Sequence, residues 1–157
     1  MSVIISGFPG IGKTYAAKSY PDRCVDIDSS SSHYVMIEGC KIALPGWVEG
    51  YVDKIKETLD SCSYEYIFVS SHEEVREELE RRCIDYFVVV PSIEDRDSYI
   101  LRYLKRGSSM DFIRMLSKNY SEWIRSIQSS YQGYSRTGVV IQLKSGEYIS
   151  DILFKEE

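Results

Sequence analysis

One short stretch decides the fold of this chain: Gly7-Phe8-Pro9-Gly10-Ile11-Gly12-Lys13-Thr14. It fits the pattern G-x-x-x-x-G-K-[ST] at every position, and it lies between an apolar run at residues 3–6 and a helical segment at residues 13–20. The glycines allow successive backbone N–H groups to turn inward around an anion, which requires backbone angles that a side chain obstructs. The stretch therefore predicts a strand, then a phosphate-binding loop, then a helix.

This loop, residues 7–14, is called the P-loop below. Its pattern predicts that the Lys13 ammonium reaches the β- and γ-phosphates of a nucleoside triphosphate and that the Thr14 hydroxyl holds Mg²⁺. The helix that follows points its positive end at the same phosphates. The residues predicted to bind this cofactor are Gly7, Pro9, Gly10, Ile11, Gly12, Lys13, Thr14 and Tyr15.

The composition is that of an ordinary globular chain. The 157 residues are 43% hydrophobic and 27% charged, which predicts a single domain over residues 1–157 with a sizeable core. The 19 basic and 24 acidic side chains give a net charge of −5 and a pI near 5.2. A chain with this balance is a poor general binder of nucleic acid or of anionic membranes.

The cysteines and the start of the chain indicate a cytoplasmic protein. Cys24, Cys40, Cys62 and Cys83 form no C-x-x-C pair, so we expect reduced and mostly buried thiols. No apolar run reaches the length of a membrane-spanning helix, and the residues at the start lack the basic region of a signal peptide.

Short β-branched runs alternate along the chain with segments of helical period. Residues 67–69 and 87–90 are continuously apolar, which is typical of parallel strands covered by helices on both faces. Near the end of the chain, residues 139–143 and 148–153 are both predicted as strands. The order of elements predicts right-handed crossovers and a three-layer α/β sandwich.

The second predicted strand ends in two carboxylates, in the run Val25-Asp26-Ile27-Asp28. Alternation along a strand places Asp26 and Asp28 on the same side, at the carboxyl edge of the sheet near the P-loop. One carboxylate suits the orientation of Mg²⁺-bound water, and the other suits positioning or deprotonating an attacking hydroxyl group. We therefore predict both as catalytic, and Asp28 with Thr14 as metal ligands. The alternative is a strand-end turn that leads into a serine-rich loop.

Two large classes of phosphate-binding protein do not fit. The D-x-x-G and N-K-x-D strings of Ras-type GTPases do not occur in the chain. The third predicted strand, Tyr66-Ile67-Phe68-Val69-Ser70-Ser71, carries no carboxylate, whereas AAA and helicase-like ATPases need an acidic pair there.

The P-loop, the Asp-x-Asp after the second strand and an arginine-bearing helix after the fourth resemble the small P-loop kinases. These are the nucleoside-monophosphate-kinase and shikimate-kinase-like group, which includes small nucleotide kinases of phage and bacteria. The resemblance implies a mostly parallel five-stranded sheet of order 2-3-1-4-5, ATP as donor, an acceptor-binding segment at about residues 29–63 and a short lid at about residues 92–110. Arg102 and Arg106 match the lid arginines and, four residues apart, share a helix face. We predict both as catalytic; a solvated, salt-bridged helix face is the alternative.

The same resemblance points to residues around the acceptor and the donor base. The acceptor candidates are Ser29, Ser30, His33, Tyr34, Ser70, Ser71 and His72. Ser71 is also explained by a predicted capping box, Ser71-His72-Glu73-Glu74, at the start of a helix. Residues 144–148 are predicted to form the rim of the adenine pocket, with Gly146 as a cofactor-binding residue and Tyr148 as a cover for the base. The alternative is a β-hairpin whose turn needs the glycine for its own geometry.

These observations support three hypotheses about function. The first is ATP- and Mg²⁺-dependent phosphoryl transfer to a small acceptor, a nucleoside or deoxynucleoside monophosphate, without a membrane or nucleic-acid partner. The second is a kinase of a non-nucleotide metabolite or of a nucleic-acid end. The third is a nucleotide-binding regulatory module that hydrolyses ATP slowly or not at all.

Overall fold

The computed structural model of the protein describes residues 1–29, 34–132 and 137–155. Its strands are β1 (Val3–Gly7), β2 (Cys24–Asp26), β3 (Tyr34–Ile37), β4 (Cys40–Ala43), β5 (Tyr66–Ser70), β6 (Tyr86–Val90) and β7 (Gly138–Gln142). Its helices are α1 (Lys13–Ser19), α2 (Trp47–Ser61), α3 (Glu73–Arg81), α4 (Arg96–Lys105), α5 (Met110–Ser130) and α6 (Ile149–Leu153). A 3-10 turn at Ile93–Asp95 precedes α4.

Five strands form a parallel sheet in the order β2-β5-β1-β6-β7. Counted along the chain within this sheet, the order is 2-3-1-4-5, so the predicted fold class is confirmed. β1 lies at the centre, paired with β5 on one side and with β6 on the other. The P-loop follows the carboxyl end of β1, at the switch point where ligands bind in open α/β sheets.

The centre of the sheet is buried because helices flank it. Ile4, Ile67, Phe68 and Val88 are at most 1% exposed. The long helix α5 contributes a stripe of buried side chains at steps of three and four residues: Ile113, Leu116, Tyr120, Ile124 and Ile127. The continuously apolar runs of the sequence are therefore central strands, as their pattern predicted.

The strand prediction for residues 148–153 is wrong, because this segment forms the helix α6. Ile149, Ile152 and Leu153 follow the spacing i, i+3, i+4, which places them on one helix face against the core. The Asp151 carboxylate accepts a hydrogen bond from the Tyr148 backbone N–H at 2.8 Å and caps the first turn. Because a helix follows β7, residues 144–147 do not form the turn of a β-hairpin.

A two-stranded antiparallel hairpin, β3–β4, lies within the predicted acceptor-binding segment. Glu38 and Gly39, at its turn, both have positive φ angles, 50° and 77°. Positive φ at both central residues is characteristic of type I′ turns, the tightest connection between antiparallel strands. The Glu38-Gly39 pair, with Val35 and Ile37 before it and Ile42 after it, was the available signal for this hairpin.

Two smaller predictions also need correction. The helix α3 begins at Glu73 with His72 as N-cap and without a side-chain cap, so the capping box predicted at Ser71 is wrong. Of the four cysteines, Cys24 is buried, whereas Cys40, Cys62 and Cys83 are exposed, so the thiols are not mostly buried.

In the described part of the chain, no helix combines the length and the apolar composition that crossing a membrane requires.

Candidate active site

A cleft of about 1070 Å³ opens at the carboxyl edge of the sheet, between the P-loop, the ends of β2 and β5, and the helix α4. Its volume matches that of pockets for small molecules and cofactors. The predicted site residues that line it are Gly7, Pro9, Gly10, Gly12, Lys13, Thr14, Tyr15, Asp26, Asp28, Ser29, Ser70, Ser71, His72, Arg102, Arg106, Gly146 and Tyr148. Residues far apart in the chain thus share one cleft.

The other four predicted site residues are Ile11, Ser30, His33 and Tyr34. Ile11 is fully buried beneath the P-loop and packs in the core instead. Ser30 and His33 lie outside the described residues, and Tyr34 belongs to β3.

The shape of the P-loop depends on two glycines. Gly10 and Gly12 have φ angles of 93° and 99°, in the region that favours glycine. A Cβ atom at Gly10 would also approach the Tyr103 ring to 2.9 Å, and one at Gly12 would approach the Tyr148 ring to 3.0 Å. Both glycines are therefore required by the backbone angle and by aromatic rings packed against the loop.

Lys13 folds back over this loop. Its Nζ atom donates a hydrogen bond to the Gly7 carbonyl at 2.7 Å. Burial lowers the pKa of the Lys13 ammonium and Arg106 lowers it further, whereas the carboxylates of Asp26 and Asp28 raise it. A bound polyphosphate would supply the negative charge that this partly desolvated ammonium group lacks.

Thr14 and Asp26 form an oxygen pair beside the P-loop. The Thr14 hydroxyl donates a hydrogen bond to Asp26 Oδ2 at 3.0 Å. Among the described residues, no group of three or more His, Cys, Asp or Glu side chains gathers around a common point. A hydroxyl and one carboxylate nevertheless fit Mg²⁺, which in nucleotide sites takes one or two protein carboxylates together with phosphate oxygens and water.

A buried tyrosine, which the sequence analysis did not single out, joins the two strand ends on the far wall of the cleft. The Tyr51 hydroxyl on α2 donates to the Ile27 carbonyl at 2.5 Å and accepts from the Ser70 N–H at 3.0 Å. Burial raises the pKa of Tyr51, so its hydroxyl stays neutral and can serve both bonds. The sequence offered one signal for this bridge: Tyr51 lies among the apolar residues that face the core on α2. A tyrosine there is buried, and a buried hydroxyl group needs polar partners.

Ser70 and His72 form a pair on the same wall. The Ser70 hydroxyl is hydrogen-bonded to His72 Nδ1 and accepts a bond from the His72 backbone N–H at 3.2 Å. The imidazole ring packs edge-on against Trp47, with 5.6 Å between ring centroids. These contacts give the wall a fixed polar surface.

Arg102 is held in a clamp behind the P-loop. Its guanidinium group donates to the Gly10 carbonyl at 2.8 Å and to the Glu147 carbonyl at 3.4 Å. The group also lies 3.8 Å from the centre of the Tyr148 ring and 4.3 Å from that of Tyr99. Arg102 therefore stacks between two aromatic rings. The alternative of a solvated, salt-bridged helix face is wrong for this residue.

The remaining contacts of α4 extend this attachment. The Tyr103 hydroxyl donates to the Pro9 carbonyl at 2.7 Å, so two consecutive P-loop carbonyls are bound to one helix. Arg106 lies beyond the clamp, where it donates to the Ser108 hydroxyl at 2.9 Å and lies 4.9 Å from the Tyr103 ring centre. Of the two arginines, Arg106 is exposed and Arg102 is half-buried.

Replacing Arg102 by alanine should lower the free energy of unfolding by about 2 kcal/mol, because a charge-assisted hydrogen bond and two ring contacts are lost. ATP affinity should fall as well, since the P-loop loses its support. Arg102→Lys should recover only part of both effects, because an ammonium group cannot stack as a plane. Thermal unfolding and ATP titration measure the two effects. Arg106→Ala is the matched variant and should leave stability close to wild type; equal stability of Arg102→Ala and wild type would contradict the clamp.

Gly146 lies in the turn between β7 and α6. Its φ angle is 76°, and a Cβ atom there would meet nothing within 4 Å. The positive φ angle alone explains why this position is a glycine. Gly146 also lines the cleft, so its predicted role at the rim of the adenine pocket stays a prediction.

Two substitutions at Gly146 separate these roles. Gly146→Val should lower stability by about 1–2 kcal/mol, because a β-branched residue is strained at positive φ. Gly146→Asn should be nearly neutral, since asparagine tolerates this region, and so it adds a side chain without the strain. If the turn borders the donor base, Gly146→Asn should weaken ATP binding severalfold in a titration. Unchanged affinity in a normally folded Gly146→Asn protein would remove Gly146 from the nucleotide site.

The sheet order and the glycine loop at its switch point define the class: a parallel α/β fold consistent with P-loop-like architecture. The chain is similar to the structure of the Deinococcus radiodurans tunicamycin resistance protein, with a TM-score of 0.52, 14% identity, and coverage of 89% of this chain and 86% of that one. An uncharacterized protein from Eubacterium ventriosum ATCC 27560 aligns over 90% of this chain and 89% of its own, at 11% identity and a TM-score of 0.40, too low to support an argument. No protein-family model and no curated protein matches the chain. At these identities the first likeness shows the fold alone.

Proposed function

We propose that the protein is a phosphotransferase that moves the γ-phosphoryl group of ATP to a small acceptor. One observation carries the proposal: the P-loop lysine, the Thr14–Asp26 pair and Asp28 all face one cleft at the switch point of the sheet. These are the donor, metal and acceptor positions that phosphoryl transfer requires. The resemblance to nucleotide kinases favours a nucleoside or deoxynucleoside monophosphate as acceptor, and a non-nucleotide metabolite or a nucleic-acid end is the alternative.

Each residue has a distinct part in the proposed step. The P-loop N–H groups and Lys13 bind the β- and γ-phosphates, while Thr14 and Asp26 hold Mg²⁺, which neutralises phosphate charge when bound. Because Asp26 is the carboxylate that Thr14 contacts, we move the metal role from Asp28 to Asp26. Asp28 acts on the acceptor, and Arg106 stabilises the negative charge that develops on the transferred phosphoryl group.

The proposed reaction balances without a further reactant. An acceptor oxygen forms a bond to the γ-phosphorus while the bond from that phosphorus to the β–γ bridging oxygen breaks. Where the acceptor is a hydroxyl group, its proton passes to the Asp28 carboxylate. ADP leaves with the bridging oxygen, and the γ-phosphoryl group stays on the acceptor.

A regulatory module that binds ATP without rapid turnover is the second candidate. β5 ends at Ser70, without the carboxylate that many ATPases place at this strand to orient water. A coupled assay for ADP release, run with nucleoside monophosphates, nucleosides and oligonucleotide ends, tests both candidates. The phosphotransferase predicts ADP that forms only when one class of acceptor is present. ATP binding with slow ADP formation or none, which no acceptor stimulates, would favour the regulatory module.

A further inference from the structure

The hydrogen-bond ladder between β2 and β5 changes where the two strands reach the cleft. The strands pair in register as far as Asp26 and Phe68. The ladder continues by one bond, because the Ile27 N–H donates to the Phe68 carbonyl at 2.9 Å. In a regular parallel ladder, the next bond would run from the Ser70 N–H to the Ile27 carbonyl.

The Tyr51 hydroxyl group stands in the place of that next bond. It accepts from the Ser70 N–H at 3.0 Å and donates to the Ile27 carbonyl at 2.5 Å, so both backbone groups are paired through one oxygen atom. Two donor–acceptor distances replace one, which holds the strand ends farther apart than a direct bond would. The strands therefore diverge at Ile27, the residue between Asp26 and Asp28.

The backbone of Ser70 is also tied to the strand that carries the P-loop. The Ser6 side chain, near the end of β1, is fully buried, and its hydroxyl group donates to the Ser70 carbonyl at 2.9 Å. Hydrogen bonds thus run without a break across the ends of β1, β5 and β2, by way of Ser70 and Tyr51. Asp28 follows Ile27 directly, so this chain of bonds fixes its backbone relative to the P-loop.

The helix α2 holds Ser70 at a second point. Trp47 lies one helical turn before Tyr51 and packs edge-on against His72, with 5.6 Å between ring centroids. The Nδ1 atom of His72 is in turn hydrogen-bonded to the Ser70 hydroxyl group. The helix that sets the spacing of these strand ends belongs to the segment predicted to bind the acceptor.

From this geometry we propose that Tyr51 is a positioning residue for phosphoryl transfer: its hydroxyl group sets the place of the Asp28 carboxylate relative to the P-loop. The inference rests on the proposed function and adds to it a residue that is fully buried behind the cleft. A general base must lie within hydrogen-bonding reach of the proton that it takes, and a displacement of about 1 Å can cost about 100-fold in rate.

Tyr51→Phe tests the proposal, because it removes the hydroxyl group and keeps the ring. Without the oxygen atom, the direct bond from Ser70 to Ile27 can form, which draws Asp28 toward β5. We expect kcat to fall by about 10- to 100-fold. ATP affinity should stay within about twofold of wild type, because the P-loop keeps its own contacts. Steady-state kinetics with an active acceptor and ATP titration measure the two quantities.

Tyr120→Phe is the matched control. Tyr120, on α5, is also buried, and its hydroxyl group donates to the Ser92 carbonyl at 2.6 Å. Each variant should lower the Tm by about 2–6 °C, because each loses one buried hydrogen bond. Tyr120→Phe should nevertheless keep the wild-type kcat. A Tyr51→Phe protein with wild-type kcat, or an equal loss of kcat in both variants, overturns the inference and leaves the proposed phosphotransferase standing.

A double variant tests whether Tyr51 acts through Asp28. When Tyr51→Phe is added to Asp28→Asn, kcat should fall by less than about twofold further, because the carboxylate that Tyr51 positions is already lost. A further loss as large as the one that Tyr51→Phe causes alone would show independent action and overturn the inference. No phosphoryl transfer by the wild-type protein to any acceptor, although ATP binds, overturns the inference and the proposed function together.

Discussion

Replacing Lys13 by alanine is expected to reduce kcat/KM for phosphoryl transfer by about 30- to 1,000-fold, which corresponds to about 2–4 kcal/mol of lost transition-state stabilisation. The physical reason is the position of the ammonium group, which lies over the P-loop and donates a hydrogen bond to the Gly7 carbonyl. Steady-state kinetics with ATP and an active acceptor measure this loss.

The same substitution should leave the fold intact. Burial lowers the pKa of Lys13 although Asp26 and Asp28 raise it, so on balance the folded protein disfavours this charge, and its removal should not unfold the protein. Lys56→Ala is the matched control, because Lys56 is exposed on α2 and pairs with Asp60 at 3.0 Å. This variant should have the same kcat/KM as the wild-type protein. A Lys13→Ala protein that folds normally and keeps wild-type kcat/KM would show that the P-loop is not the donor site.

Asp28→Asn is expected to lower kcat by about 10²–10⁴-fold while changing ATP affinity little, because a general base acts only as charge moves in the reaction. Asp26→Asn should also lower kcat, but added Mg²⁺ should restore part of its activity, because Asp26 pairs with the Thr14 hydroxyl. Kinetics at several Mg²⁺ concentrations, together with ATP titration, separate the two roles.

Asp60→Asn is the control for both aspartates, since Asp60 is an exposed residue whose partner is Lys56. It should retain wild-type rate and affinity. Equal losses of ATP binding and rate in Asp26→Asn and Asp28→Asn, or no loss in either, would contradict the assignment of separate roles.

The features that the sequence predicted well are local ones. The P-loop pattern is contiguous, and the buried strands 67–69 and 87–90 are visible as apolar runs, so the parallel sheet of β1, β5 and β6 follows from short windows. The place of Asp26 and Asp28 on the cleft was predicted because both lie at the end of a strand, where parallel α/β sheets bind ligands.

The features that it did not predict depend on contacts between distant residues or on ambiguous short patterns. The clamp of Arg102 joins residues 92 positions apart, from α4 to Gly10, and no local pattern distinguishes it from a free lid arginine. The bridge made by Tyr51 likewise needs the positions of two strand ends. In α6, three apolar residues fit a short strand and a helix turn equally well, and the contact of Ile149 N–H with the Ile11 carbonyl at 2.8 Å favours the helix.

The most direct test of the proposed phosphoryl transfer is the fate of a labelled γ-phosphate. The wild-type protein is incubated with Mg²⁺, γ-³²P-labelled ATP and each acceptor in turn, and the products are separated by chromatography. The proposed phosphotransferase predicts label in a new phosphorylated small molecule, in equal amount to the ADP formed, and its loss in Lys13→Ala. Label that appears only as inorganic phosphate, or that stays in ATP with every acceptor, would contradict it.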